Sequence, residues 1–115
     1  TKAGEQEMFM LGWTGDNGDP DNFLATLLDK NNIGGNNRTR WANEEAHKLL
    51  MAAQSATTKE EREKLYLQVQ EIIFKDVPMV PLAHSTPALA AKASVTDYKP
   101  HPKGSESLEK VDIKQ

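Results

Sequence analysis

Three carboxylates stand close together early in the chain, in Gly15-Asp16-Asn17-Gly18-Asp19-Pro20-Asp21, and each chemistry they could serve has a spacing requirement. A helix-loop-helix calcium loop needs oxygen ligands at its first, third and fifth positions and a Glu at its twelfth. Counted from Asp16 the third position is Gly18; counted from Asp19 the fifth is Phe23 and the twelfth Lys30, so the calcium reading fails both ways. A hydrolase built on paired carboxylates needs a second acid across a cleft, and nothing in the sequence places one. Asp19 and Asp21 fit a helix start: Asp19 can cap free N–H groups, Pro20 suits the first helical position, and Asp21 complements the helix dipole. Asp16 stands outside that scheme. It sits in a Gly-rich bend directly after a short apolar run, and the carboxyl end of a strand is where open α/β sheets present ligand contacts. Trp13, three residues earlier, offers an aromatic wall. A ligand contact and a plain turn aspartate are the two readings of Asp16 that the residues alone leave open.

The other reactive side chains support less. His47, His84 and His101 have no i, i+4 pairing, which argues against a metal site. His47 reads as a solvated helix residue, and the neighbours His84 and Ser85 lack the elbow motif that nucleophilic chemistry would need. Asn37-Arg38-Thr39 matches a glycosylation sequon, a tripeptide common by chance. Arg38, Arg40 and Trp41 could stack on nucleic-acid bases, but 14 basic against 17 acidic residues give a net charge of -3 and no supporting field. There is no cysteine, so disulfides, thiolate metal sites and a Cys nucleophile are all excluded. No cofactor is implied.

The elements that must position Asp16 are mostly helical. Residues 5–13 form a short apolar run that reads as a buried strand. A first helix follows Asp19-Pro20, with Phe23, Leu24, Leu27 and Leu28 as its apolar stripe, and the polar tract 30–37 reads as a mobile surface loop. A second helix starts at Asn43, with Ala46, Leu49, Leu50 and Ala53 on one face. A third starts at the capping box Thr58-Lys59-Glu60-Glu61, carries Leu65, Val69, Ile72 and Ile73, and closes before Pro78. The short connection makes these two helices an antiparallel hairpin. Beyond it, 79–84 reads as an edge strand, 88–95 is ambiguous, and 108–113 alternates as a final strand without an evident partner in the chain. A lone strand at each end points to a sheet completed elsewhere.

Length and balance set the bounds. The chain has 115 residues, 37% of them hydrophobic, enough for one domain with a core, and no apolar run approaches the roughly 18 residues of a membrane span. Its sequence pI is near 5.6 and its mean hydropathy is -0.66. It begins Thr1-Lys2 with no initiator Met, which reads as a removed targeting segment or a piece of something larger, and the order of elements favours the second.

Taken together, Gly12-Trp13-Thr14-Gly15-Asp16-Asn17-Gly18-Asp19-Pro20-Asp21-Asn22-Phe23 strongly resembles the dipeptide-binding branch of the family 5 extracytoplasmic solute-binding proteins of bacterial ABC importers. Asn37-Arg38-Thr39-Arg40-Trp41 looks like the family's next landmark, and Arg62, Leu65-Tyr66, Gln70, Pro78 and Pro81-Leu82-Ala83-His84-Ser85-Thr86 match its later helix and the segment after it. Ala46-His47 departs from the pattern, where the family more often has an aromatic residue followed by Asp.

The resemblance implies an α/β fold, the C-terminal portion of a two-lobed periplasmic-binding-protein-like (type II) architecture, with a helical hairpin and short strands in this chain. Residues 1–80 would belong to the second, ligand-clamping lobe, and 81–115 would cross back to the first lobe's sheet. It implies a non-enzymatic periplasmic subunit, or a lipid-anchored one in a Gram-positive host, that binds dipeptides or short peptides and delivers them to ABC permease subunits, with no nucleic-acid partner. Ligand contacts would come from Asp16, which would hold the ligand's α-ammonium, from Trp13 lining the pocket, and from Thr14 and Gly15 beside them. Haem, glutathione or antimicrobial-peptide cargo on the same fold is the alternative within the family. A small acidic helical domain that docks a partner protein is the alternative outside it.

Overall fold

Asn43 opens the best-packed part of the molecule. In the computed structural model, which describes residues 1–86, 88–101, 103–104 and 107–114, its side-chain oxygen accepts from the N–H groups of Glu45 and Ala46. It caps α2 (Glu44–Ser55), the second of three α-helices. Three residues later the Thr58 hydroxyl accepts from the Glu61 N–H and starts α3 (Lys59–Asp76). So short a connection forces the two helices back along each other, and they form the expected hairpin.

The hairpin core is small and tightly closed. Leu50, Ala53 and Val69 are fully buried, Ala25 of α1 (Asp21–Leu28) and Tyr66 join them, and Leu24, Leu49, Met51, Leu65 and Ile73 pack around the edge. Two expected faces are rotated relative to this. On α1 the buried positions are Ala25 and Leu28, while Phe23 is exposed. On α3 they are Tyr66 and Val69, with Ile72 only half-buried. A tyrosine serves here because its ring fills the core while its hydroxyl reaches polar partners at the rim.

Helix α3 ends before Pro78 as the sequence expects, at Asp76, because proline disfavours helical backbone in the residue preceding it. Val77 takes the left-handed conformation (φ 49°) and donates its N–H to the Ile73 carbonyl.

The tract 30–37, expected to be mobile, is an ordered polar knot. A 3-10 turn (Lys30–Asn32) starts on Asp29, whose Oδ1 accepts from the Asn31 N–H, and Gly34 supplies the positive φ of 84° for the return. Asn37 is fully buried, and its amide donates to the carbonyls of Asp29 and Trp41 at 3.0 and 2.9 Å. Both amide hydrogens are thus engaged, and the sequon at Asn37 is closed to modification in the folded chain. His47 is likewise not a solvated residue: its Nδ1 lies 2.7 Å from Asp29 Oδ2, and Asp29 is only 3% exposed. Burial of a carboxylate demands such partners, and the loop and α2 provide them.

The expected strands are the main correction. Residues 5–13 form no strand, and Met8 and Met10 are 90% and 83% exposed. Residues 79–84 form none either, with Val80 and Leu82 exposed. An extended segment becomes a strand only when a neighbour takes up its backbone hydrogen bonds, and among the described residues neither segment has one. The C-terminal alternation shortens to β2 (Asp112–Ile113), and it does have a partner in the chain: β1 (Val95–Thr96) pairs with it antiparallel, Val95 opposite Ile113 and Thr96 opposite Asp112. The chain divides into two compact units, Thr1–Pro81 with the helices and Leu82–Gln115 with this ladder. No described helix is long and apolar enough to cross a membrane.

One carboxylate ties α1 to α3 within the first unit. Asp19 Oδ2 meets Arg62 at 2.6 Å, and its Oδ1 takes the Asp21 N–H at 2.9 Å and lies 3.4 Å from the Tyr66 hydroxyl. Arg62 also donates to the Tyr66 hydroxyl at 3.1 Å, and its guanidinium lies 5.7 Å from the ring centroid. That hydrogen bond, above other causes, holds the Arg62 guanidinium above its usual pKa. Burial, supported by the charge of Asp19, pushes the Tyr66 phenol upward.

Two predictions follow from this packing. Leu50→Ala, at a fully buried position, should lower unfolding stability by about 2–5 kcal/mol in denaturant melts, whereas a loss under about 0.5 kcal/mol would mean the hairpin is not the core. Folded Tyr66 holds its proton more tightly than the unfolded chain does, so its contribution is complete below about pH 10 and declines as pH rises toward the raised folded value. Tyr66→Phe should therefore lose less stability than the parent between about pH 9 and about pH 11, and an equal loss would exclude Tyr66 as its source.

Candidate functional site

The bend before α1 is built by its own side chains. Asn17 Oδ1 accepts from the Asp19 N–H at 2.9 Å, and Asp19 Oδ1 repeats the pattern on Asp21 two residues on. Gly18 between them has φ 74°, a conformation that side chains other than glycine adopt at a penalty. These consecutive Asx turns replace the ladder hydrogen bonds that this stretch lacks.

Onto that frame the structure brings the four expected site residues. Trp13 is half-buried, and its indole N–H donates to Asn22 Oδ1 at 3.0 Å. Gly15 packs under the Phe23 ring so closely that a Cβ there would lie 2.7 Å from Phe23 Cε2, so a side chain at this position would push the ring aside. Thr14 is exposed beside it. Asp16 is exposed, its backbone N–H donating to Asn22 Oδ1 at 3.1 Å, and its carboxylate has no hydrogen-bond or ion-pair partner among the described residues. Asp19 and Asp21 do start the helix as expected, but each also reaches another element: Asp19 holds Arg62, and Asp21 Oδ1 accepts from Gln54 at 2.8 Å. Of the three acids, only Asp16 is left to water.

Trp13, Asp16 and the backbone of Gly15 thus form a fixed surface with an aromatic face and a solvated negative charge. Such a pair suits an organic cation, since a carboxylate accepts charged N–H donors and an indole face tolerates the adjoining alkyl groups. Two concavities lie elsewhere. One of about 360 Å³ runs along the hairpin beside Asn43, Leu49, Gln68 and Lys75, and one of about 280 Å³ lies in the second unit beside Asp97, Lys99 and Glu109. Both are lined by mixed charge, and neither includes Trp13 or Asp16. Among the described residues, no group of three or more His, Cys, Asp or Glu is placed to hold a metal ion.

Sequence reasoning passed over two residues that organise this surface. Asn22 carried no signal beyond its place in the first turn of a helix. Arg62 was visible only as part of a resemblance, because its partner Asp19 stands 43 residues away.

No protein-family model matches the chain. Individual proteins do. It is 45% identical over 100 residues to di/tripeptide-binding protein 3 of Pseudomonas aeruginosa, covering 87% of this chain and 19% of that protein. It is 43% identical over 112 residues to heme-binding protein A of Haemophilus influenzae, covering 97% of this chain and 20% of that protein. The ABC transporter-associated periplasmic binding protein DppA from Helicobacter pylori, solved in complex with the peptide STSA, superposes with a TM-score of 0.79 at 36% identity, over 99% of this chain and 23% of that one. The chain spans about a fifth of the length of the curated relatives it matches. The fold is that of a segment of the type II periplasmic-binding-protein architecture, here its helical hairpin with a short strand pair. With this sequence identity and this shared backbone, the chain belongs to the family 5 extracytoplasmic solute-binding proteins and is similar to their dipeptide-binding members.

Proposed function

We propose that the chain is part of the substrate-binding subunit of an ABC importer, one that encloses a dipeptide or short peptide between two lobes and hands it to permease subunits in the membrane. The observation that carries this reading is the Asp16 carboxylate, exposed and without a protein partner, on a bend held rigid beside Trp13. Asp16 takes the α-ammonium of the ligand, Trp13 lines the pocket, and Thr14 and Gly15 supply the wall between them. The names of the relatives as di/tripeptide-binding proteins support the cargo class, and a relative described as periplasmic supports an extracytoplasmic location, in the periplasm or on a lipid anchor. Nothing in this surface calls for catalysis, and the protein acts as a binder.

Residues 1–80 belong, in this proposal, to the ligand-clamping lobe, and 81–115 return to the first lobe's sheet. The compact unit Thr1–Pro81 and the separate ladder of Leu82–Gln115 support the division. The apolar runs at 5–13 and 79–84 then gain strand partners from the rest of the protein, which would cover Met8, Met10, Val80 and Leu82. The 43% identity to heme-binding protein A favours a second reading with the same fold and haem as cargo.

Closure of the lobes would remove water from Asp16 and strengthen its hydrogen bonds to an ammonium in the lower dielectric. Asp16→Asn, nearly isosteric but uncharged, should weaken dipeptide binding by about 3–5 kcal/mol, or roughly two to three and a half decades, in calorimetric titrations of the full-length protein. Asp21→Asn keeps the oxygen that Gln54 uses and should cost well under about 1 kcal/mol. Wild-type affinity in Asp16→Asn, or equal affinity for an N-acetylated dipeptide, would sink the assignment; haem binding without dipeptide binding would favour the second reading.

A further inference from the structure

Trp13 and Asp16 are held by the same atom. Asn22 Oδ1 accepts the indole N–H of Trp13 at 3.0 Å and the backbone N–H of Asp16 at 3.1 Å. Both of these groups are donors only, so the amide orientation is fixed by chemistry: the oxygen must face them. Asn22 lies in the first turn of α1, and the start of that helix is anchored to α3 through Asp19 and Arg62. A continuous path of contacts therefore runs from the buried Tyr66, through Arg62 and Asp19, to α1 and Asn22, and from Asn22 to both Trp13 and Asp16.

We infer that Asn22 is the positioning residue of this binding surface, setting the separation between the aromatic wall and the backbone that carries the Asp16 carboxylate. The inference rests on the assignment of Asp16 to the ligand amine. A carboxylate and an aromatic face recognise an aminoacyl end together only if their spacing is held before the ligand arrives, because ordering two independent segments on binding weakens affinity. Trp13 and Asp16 lie on a stretch without ladder hydrogen bonds, so without the shared acceptor each is free to move separately. No other residue of the bend reaches both in the described structure.

The test is made in the full-length protein with alanylalanine and its N-acetyl form. Asn22→Leu keeps the volume and removes the acceptor; Asn22→Asp keeps an oxygen in the same place. Asn22→Leu should weaken alanylalanine binding about 10- to 100-fold, the loss of two hydrogen bonds of ordinary strength. It should also narrow the preference for the free amine over the acetylated ligand, a readout that simple loss of folded protein does not move. In the ligand-free state, the Trp13 indole N–H resonance should shift in Asn22→Leu and stay close to the parent's in Asn22→Asp, which should also retain affinity and preference. Binding by Asn22→Leu within about twofold of the parent overturns the inference, even if the indole resonance moves, since the bonds would then be structural only. So does an Asn22→Asp variant as weak as Asn22→Leu. Asp16→Asn measured alongside separates the two levels: a weakened Asp16→Asn with an unaffected Asn22→Leu removes only the inference about Asn22, while an unaffected Asp16→Asn removes the amine reading and this inference with it.

Discussion

The ion pair between Asp19 and Arg62 is the constraint on which the arrangement of the first unit depends. Its 2.6 Å contact joins residues 43 apart, and its two ends are about one-third exposed, so its energy in water is modest. Its importance is geometric. Arg62 is itself oriented by the Tyr66 hydroxyl and ring, and Tyr66 is a member of the buried core. Asp19 in turn divides its two oxygens between Arg62 and the start of α1. The rigidity of a packed hairpin is thereby passed to a loop that has no packing of its own.

Helix α1 needs such ties at both ends. It has eight residues, too few to be stable on its own, since helix nucleation is unfavourable and short helices gain little from propagation. At its start Asp19 and Asp21 reach α3 and α2, through Arg62 and Gln54. At its end Asp29 is clasped by His47 of α2 and by the Asn31 N–H, while Asn32 Nδ2 adds a second donor to the Ala25 carbonyl, which already accepts the Asp29 N–H. Apolar burial holds its middle through Ala25 and Leu28. The polar knot at 29–37 and the bend at 16–19 are thus equivalent devices, each exchanging water for fixed side-chain partners.

The distance over which each interaction acts explains what was legible in the sequence. The caps at Asn43 and Thr58, the helix stop before Pro78 and the short hairpin connection are local rules, and the helices they define appear as read. Strands depend on partners elsewhere: the runs at 5–13 and 79–84 have the right residues and no strand neighbour among the described residues, and 112–113 found a partner in a stretch too small and ambiguous to read. The faces of α1 and α3 shifted because Ala25 on one and Tyr66 on the other take core positions that a count of large aliphatic residues passes over. At the candidate site the residue types of Trp13 and Asp16 were readable. The reason for their fixed geometry was not, since an asparagine in a helix's first turn gives no sign of which N–H groups it will accept. His47 misled for the same reason, because its partner Asp29 lies 18 residues earlier.

An exposed acid on a rigid bend has a further consequence for selectivity under the proposed reading. In the open state Asp16 is solvated and needs no partner, so the site is free of internal competition for its charge. Closure around a ligand takes that water away, and an ionised carboxylate without a counter-charge becomes strongly unfavourable. A ligand with a free amine compensates the loss, whereas one with a blocked or absent amine leaves the charge buried and alone. Discrimination then comes less from attraction to the right ligand than from the penalty on the wrong one, which is how polar sites reject near-isosteres that a hydrophobic pocket would accept. That penalty requires the carboxylate to stay where it is. A mobile bend would let Asp16 swing back to solvent and relieve it, and the same Asx turns and shared acceptor that shape the surface are what deny it that escape.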